Sequence, residues 1–267
     1  MRNGLMLHCG GEAVTEKDLD LFPVPQETAT YKPVSHFELV KQIKLVSQDL
    51  LTLRSGGEAF QLERESFGVA REGKQMFGVL TFVNSDTEQG LSVGFRNSYD
   101  KSMALGIVMG TSVFVCDNLC LSGEISIMRK HTRNVWDDIH QTLITSVYTA
   151  RKVYHQNIAD ASAFKALPMP DDDAFGIIGR LYGNDIISPR QLAAVFTDWK
   201  KPRYEEFAPR NAWSLYNACT EALKTSPPVN VMENHVNLHR YFTGLTATME
   251  ERPDYYADRA ADLTIDI

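Results

Sequence analysis

The chain has 267 residues, 43% of them hydrophobic and 23% charged, with a formal net charge of -7. At this length roughly 70–75% of the unfolded chain's surface can be buried, so the fold needs no disulfide or metal staple. These values exclude a secreted mini-protein, a disordered tail protein and a collagen-like chain, and the negative sign argues against a nucleic-acid binder, whose domains are usually basic.

Cys9, Cys116, Cys120 and Cys219 are too few and too scattered for a disulfide framework, which predicts reduced thiols in a cytoplasm. The stretch Met1–His8 is too short in apolar residues for a signal peptide, and no run approaches the roughly 18 apolar residues of a membrane span. The expectation is a soluble cytoplasmic protein with no membrane partner.

Residues 1–34 read as an extended arm, with Gly10-Gly11 and then Pro23, Pro25 and Pro33. Ser35-His36-Phe37-Glu38 reads as a capping box that starts a helix, which Gly56-Gly57 would end. From Ala59 to Arg129 short Phe- and Val-rich runs recur at 60–62, 67–69, 76–83, 91–95, 105–109, 113–116 and 125–127. Several alternate at period two, so five to seven mostly antiparallel strands are expected, with hairpin loops at Glu72-Gly73-Lys74 and Asn84–Asp86. A long helix follows from Thr132 to Asn157, with Trp136, Ile139, Leu143, Val147, Tyr148, Val153 and Tyr154 as its apolar stripe.

Asp171–Asp173 marks a linker or a helix start, and Ser188-Pro189 an N-cap and first helical residue. Helices are expected over 211–225 and 229–249, split by Pro227-Pro228, and Trp136, Trp199 and Trp213 are assigned to the core. The fold class is α+β, an antiparallel sheet followed by a long helix and a helical C-terminal region. Its parts are an arm (1–34), a sheet-plus-helix core (35–167), a helical region (168–249) and an acidic tail (250–267).

Chemistry concentrates at Arg96-Asn97-Ser98-Tyr99-Asp100-Lys101-Ser102, read as a polar loop between two strands. Asp117-Asn118 is a second polar cluster, and Arg129-Lys130-His131-Thr132-Arg133 closes the last strand and opens the long helix. Between Leu91 and Val135 five basic residues face three acidic ones, a local +2, whereas the last eighteen residues carry -4. Polar loops beside a helix N-terminus suit an anion, although each cluster is also ordinary turn chemistry.

These segments, with Gly110–Asn118, Thr28, Pro33, Ser35-His36, Ala212–Asn217 and Thr220-Glu221, resemble the domain-of-unknown-function 932 family from about Val24 to Phe242. The resemblance implies a protein of phages, plasmids and other mobile elements in a bacterial host cell, and it carries over no catalytic residues. Strands followed by a long helix is also the order of single-strand annealing proteins, a likeness of fold alone.

The leading expectation is therefore a homo-oligomer that binds nucleic acid, single-stranded DNA in particular, for annealing in recombination, without breaking bonds. Arg96, Asn97, Ser98, Tyr99, Lys101, Arg129, Lys130, His131 and Arg133 are the candidate contacts. Tyr99 offers a stacking face, while Phe95 is assigned to the core by its alternating run. A second reading is an anti-defence or other protein-interaction module, which the acidic tail would suit. A third is a metal-dependent enzyme using His235-x3-His239 or Cys116-x3-Cys120, pairs that lack the rest of any strong ligand motif. No phosphate loop, dinucleotide fingerprint or nucleophile elbow is present, and no catalytic residue, metal or cofactor is assigned.

Overall fold

The computed structural model describes residues 11–29, 31–52, 59–84, 89–113, 118–123, 126–128, 135–227 and 229–251. Seven strands form one sheet: β1 (Glu12–Val14), β2 (Gln61–Ala70), β3 (Gln75–Val83), β4 (Gln89–Ser98), β5 (Leu105–Val113), β6 (Asn118–Leu121) and β7 (Ser126–Met128). The order is β1-β2-β3-β4-β5-β6, with β7 also on β5, and every pairing is antiparallel. The helices are α1 (His36–Thr52), α2 (Val135–Ala166), α3 (Asp171–Gly183), α4 (Pro189–Lys200), α5 (Ala212–Leu223) and α6 (Val231–Glu251). The protein is thus α+β, a sheet followed by a long helix and further helices. None of the helices among the described residues is long and apolar enough to cross a membrane.

Alternation along each strand divides the sheet into two faces. Leu80 and Phe82 of β3, Leu91, Val93 and Phe95 of β4, and Ile107 and Met109 of β5 share the inner face. They pack there against Leu39, Val40 and Ile43 of α1 and Ile139, Leu143, Val147 and Tyr154 of α2. On the outer face Phe77, Val79, Val108 and Leu121 meet Val231, Met232 and Val236 of α6. The second half of α2 joins α3 to α6 and the end of the sheet in a third cluster around Phe164, Trp199, Tyr216 and Phe242. Trp199 and Trp213 are buried in that cluster and Trp136 packs on the inner face, as expected.

Several elements differ from expectation for identifiable reasons. The runs at 60–62 and 67–69 are one strand, β2, with a bulge between Leu62 and Arg64. The arm contributes an edge strand: Glu12, Ala13 and Val14 pair with Val69, Gly68 and Phe67. A 3₁₀ helix follows it at Lys17–Leu21. β3, β4 and β5 are buried on both faces rather than half-buried, because α6 covers part of the side that α1 and α2 leave open. Tyr148 does not belong to the α2 stripe; it is 83% exposed. It stands one residue, about 100°, around the helix from the buried Val147.

Local signals at the helix ends hold. The Ser35 hydroxyl accepts from the Glu38 amide at 3.3 Å. Ser188 and Gln191 form a reciprocal capping box with Pro189 at the first helical position. Asp171–Asp173 opens α3. The end of the helix expected at Gly56-Gly57, the loop residues Ser85-Asp86 and the acidic tail beyond Glu251 lie outside the described residues.

Candidate functional site

β4 continues to Ser98, so Arg96, Asn97 and Ser98 are strand residues and not members of a loop. This corrects their reading as exposed phosphate contacts. Arg96 points to the outer face and is 4% exposed. Its Nη1 donates to the Val229 carbonyl at 2.7 Å and to Glu233 Oε2 at 2.8 Å, while Nη2 donates to Oε1 at 2.6 Å. This two-pronged pair fastens the start of α6 to the sheet. Ser98 is closed off by Met103, donating from Oγ to its carbonyl at 2.8 Å and accepting from its amide at 3.3 Å.

Asn97 points inward and is fully buried. Its Nδ2 donates to the Val34 carbonyl at 2.7 Å and lies 3.0 Å from His36 Nδ1, whose Nε2 is 3.1 Å from the Gly73 carbonyl. A carbonyl only accepts, so Nε2 carries the ring proton and Nδ1 accepts from Asn97. Burial pushes the His36 pKa down to about 4 against the opposing pull of the Gly73 carbonyl. Tyr99 stacks on this ring at 3.8 Å between centroids, and its hydroxyl accepts from the His36 amide at 2.9 Å.

Beyond Tyr99 the chain turns outward and builds a groove of about 340 Å³, near the small end for ligand pockets. Phe22, Pro23 and Pro25 of the arm, Glu72, Gly73 and Lys74 of the β2–β3 turn, and Tyr99 and Asp100 line it. The Phe22 ring lies so close to Gly73 that a Cβ there would stand 1.9 Å from Cδ1. Lys101 sits beside the groove with its Nζ 4.4 Å from the centre of the Tyr31 ring, a cation–π contact. Arg71 (φ 50°), Glu72 (φ 58°) and Lys101 (φ 60°) all adopt the left-handed conformation. Each costs about 1 kcal/mol or more in a residue with a Cβ, and such strain concentrates at binding sites.

Charges at the rim are mixed. Arg71, Lys74 and Lys101 stand against Glu72 and Asp100, with Arg71 3.4 Å from Asp100 and Lys74 3.8 Å from Glu72. Partial burial alone would raise the Asp100 pKa, but hydrogen bonds from the Ser102 hydroxyl and amide and the Arg71 charge outweigh it and hold the carboxyl below its usual range. Apolar walls of proline and aromatic rings with ammonium groups at the lip can hold a flat group carrying an anionic substituent.

Of the sequence candidates, then, Tyr99 lines the groove and Lys101 stands beside it, whereas Arg96, Asn97 and Ser98 are bound to other parts of the fold. Arg129, Lys130, His131 and Arg133, with Cys116 and Asp117, lie outside the described residues. Phe22, Pro23, Pro25, Tyr31, Arg71 and Lys74 were missed as site residues. The proline arm and the Glu72-Gly73-Lys74 turn are each visible in the sequence, but nothing in their spacing joins them.

His235 and His239 are both buried on α6. His239 Nε2 lies 2.9 Å from Asp160 Oδ2 and its Nδ1 lies 3.2 Å from the Tyr216 hydroxyl, which in turn meets Cys120. These side chains form a hydrogen-bonded chain joining α2, α6, α5 and β6. Among the described residues no group of three or more His, Cys, Asp or Glu side chains is placed to hold a metal ion. No family model, curated protein or solved structure matches this chain.

Proposed function

We propose that the groove between the proline arm, the β2–β3 turn and Tyr99–Lys101 binds single-stranded nucleic acid. The observation that carries this reading is the meeting of aromatic and proline walls with Lys74 in one groove, with Lys101 next in the chain to the lining residue Asp100. Unpaired bases stack on such walls while the ammonium groups meet the backbone, a combination that tolerates any sequence. The resemblance to the domain-of-unknown-function 932 family adds the context of a mobile element, in which a homo-oligomer would anneal strands during recombination.

The net charge of -7 keeps the electrostatic part small. With two or three phosphates met by Lys74, Lys101 and Arg71, log affinity for an oligothymidylate falls against log salt with a slope of about -1.4 to -2. Fluorescence anisotropy at several salt concentrations measures it. Lys74→Glu with Lys101→Glu should weaken binding at least tenfold and flatten the slope; an unchanged affinity, or no binding at low salt, sinks the reading.

One observation favours a protein partner instead. Leu21 is 77% exposed and Val24 46% exposed, both on the arm that forms the groove wall. An extended peptide would cover them, and its binding would show little dependence on salt.

A further inference from the structure

A strand lying in the groove meets carboxylates as well as ammonium groups, and carboxylates repel its phosphates. Glu72 and Asp100 both line the groove, but they are engaged differently. Asp100 is spent on the fold. Its Oδ1 accepts from the Ser102 amide at 3.0 Å and from the Ser102 hydroxyl, and its Oδ2 accepts from Gln75 Nε2 and Arg71 Nη1, each at 3.4 Å. The Gly73 carbonyl and the Tyr99 hydroxyl are likewise taken, both by His36. The Glu72 side chain, by contrast, is 90% exposed, and Lys74 Nζ lies 3.8 Å from its Oε2, too far for a hydrogen bond. Glu72 also holds a left-handed backbone (φ 58°), where glycine or asparagine costs less. Turn conformation therefore gives no reason for a glutamate at this position.

Stacking on Tyr99 and Phe22 accepts any base, whereas a carboxylate at the lip discriminates. It accepts through two oxygens and donates nothing, so it rewards a base edge with two adjacent donors. Guanine has such an edge: N1–H and the N2 amino group stand side by side, next to the O6 acceptor. Thymine and uracil carry one donor between two acceptors. Adenine and cytosine carry one amino group beside a ring nitrogen whose lone pair faces the carboxylate. In an unpaired strand this Watson–Crick edge is open to side chains. Lys74 adds an ammonium donor beside the Glu72 acceptors, the complement of O6 beside the two guanine donors.

We infer that Glu72 and Lys74 give the groove a preference for guanine: the carboxylate accepts from N1–H and the N2 amino group, and the ammonium donates to O6. This rests on the reading of the groove as a single-strand site and names the base that it favours. On a strand without guanine the same carboxylate gains no such pair and only repels phosphate.

Fluorescence anisotropy tests this with an oligothymidylate and the same strand carrying spaced guanines, hypoxanthines or adenines, on the wild type and Glu72→Gly. Glycine adopts the left-handed conformation freely, so the variant keeps the turn. The wild type should bind the guanine strand about fivefold more tightly than oligothymidylate, the low end for a two-bond base contact because Glu72 faces solvent. Hypoxanthine lacks only the N2 amino group and should lose most of that gain; adenine should show none. Glu72→Gly should level the four strands while binding oligothymidylate as well as the wild type or better, which a misfolded variant would not do. Equal wild-type affinity for all four strands, or a guanine preference that survives in Glu72→Gly, overturns the inference. In that case the single-strand reading still stands if oligothymidylate binding depends on Lys74 and Lys101. No binding of any strand at low salt overturns both.

Discussion

His36 ties together three parts of the chain that are distant in sequence: β4 through Asn97, which also holds the Val34 carbonyl of the arm, the β2–β3 turn through Gly73, and the segment just past β4 through Tyr99. Its folded pKa of about 4 lies below the ordinary 6.5. Between those values the unfolded chain binds a proton that the folded chain refuses, so stability falls as pH drops from 6.5 through 4. The full loss is about 3 kcal/mol. Urea unfolding across that range should show it, and His36→Gln should lose much less over the same interval. An identical pH profile in the variant would exclude His36 as the source. Asp100 and Asp160, whose hydrogen-bonded carboxyls are held low, add a separate loss at lower pH, as the solution falls through their folded pKa values. The Arg96–Glu233 pair makes the opposite demand, that a buried charge keep its partner. Breaking a fully buried pair costs about 3–5 kcal/mol, and because the Glu233 side chain is 38% exposed, Glu233→Gln should cost about 2 kcal/mol by urea unfolding. A change under about 0.5 kcal/mol would show the pair to be screened like a surface bridge.

At the scale of elements, two glycines give opposite expectations. Gly110 lies where β5 meets β6, and a Cβ there would stand 2.4 Å from the Cys120 carbonyl oxygen and 2.8 Å from the Leu121 Cα. Both are backbone atoms held in register, so Gly110→Ala should force the strands apart and cost about 2–3 kcal/mol. Gly179 lies exposed within α3, and a Cβ added there would meet nothing within 4 Å. Gly179→Ala should therefore stabilise by about 1 kcal/mol through helix propensity. Chemical denaturation of the two variants checks both signs; a neutral Gly110→Ala would mean that the β5–β6 junction yields. Elements were legible wherever the signal is local. Ser188-Pro189 and Ser35 cap their helices by contacts three residues long, and Glu72-Gly73-Lys74 turns within itself. β1 was not legible, because a three-residue edge strand owes its existence to Phe67–Val69, more than fifty positions away.

For the whole molecule, α2 is the part that makes one body of two cores. Ile139, Leu143, Val147 and Tyr154 belong to the cluster under the sheet, and Ala161, Phe164 and Leu167 on the same helix or just past its end belong to the helical cluster. Between them Asn157 donates to Thr111 Oγ1 at 3.3 Å and to the Cys120 carbonyl at 3.0 Å, and accepts from the Ser122 hydroxyl. Unfolding should therefore be a single transition. Leu143→Ala and Phe164→Ala, one in each cluster, should lower the same Tm, at costs of about 2–5 and about 3–5 kcal/mol. Calorimetry resolving two transitions, with each variant shifting only one, would show that the helix does not couple them.

Period-two and helical patterning, caps and turn residues determined on their own the α+β class, the antiparallel sheet and the long helix after it, because these signals act between neighbours along the chain. The polar run Arg96–Ser102 shows where that reach stops. Composition marks all seven residues as exposed, yet alternation along β4 sends Arg96 to Glu233, 137 positions away, and Asn97 to His36, 61 positions away. Only Asp100 onward stands out into solvent beside the arm. Which polar groups are spent on the fold and which remain for a ligand depends on partners brought together from opposite ends of the sequence. Burial in three dimensions makes that choice, and local pattern carries no record of it.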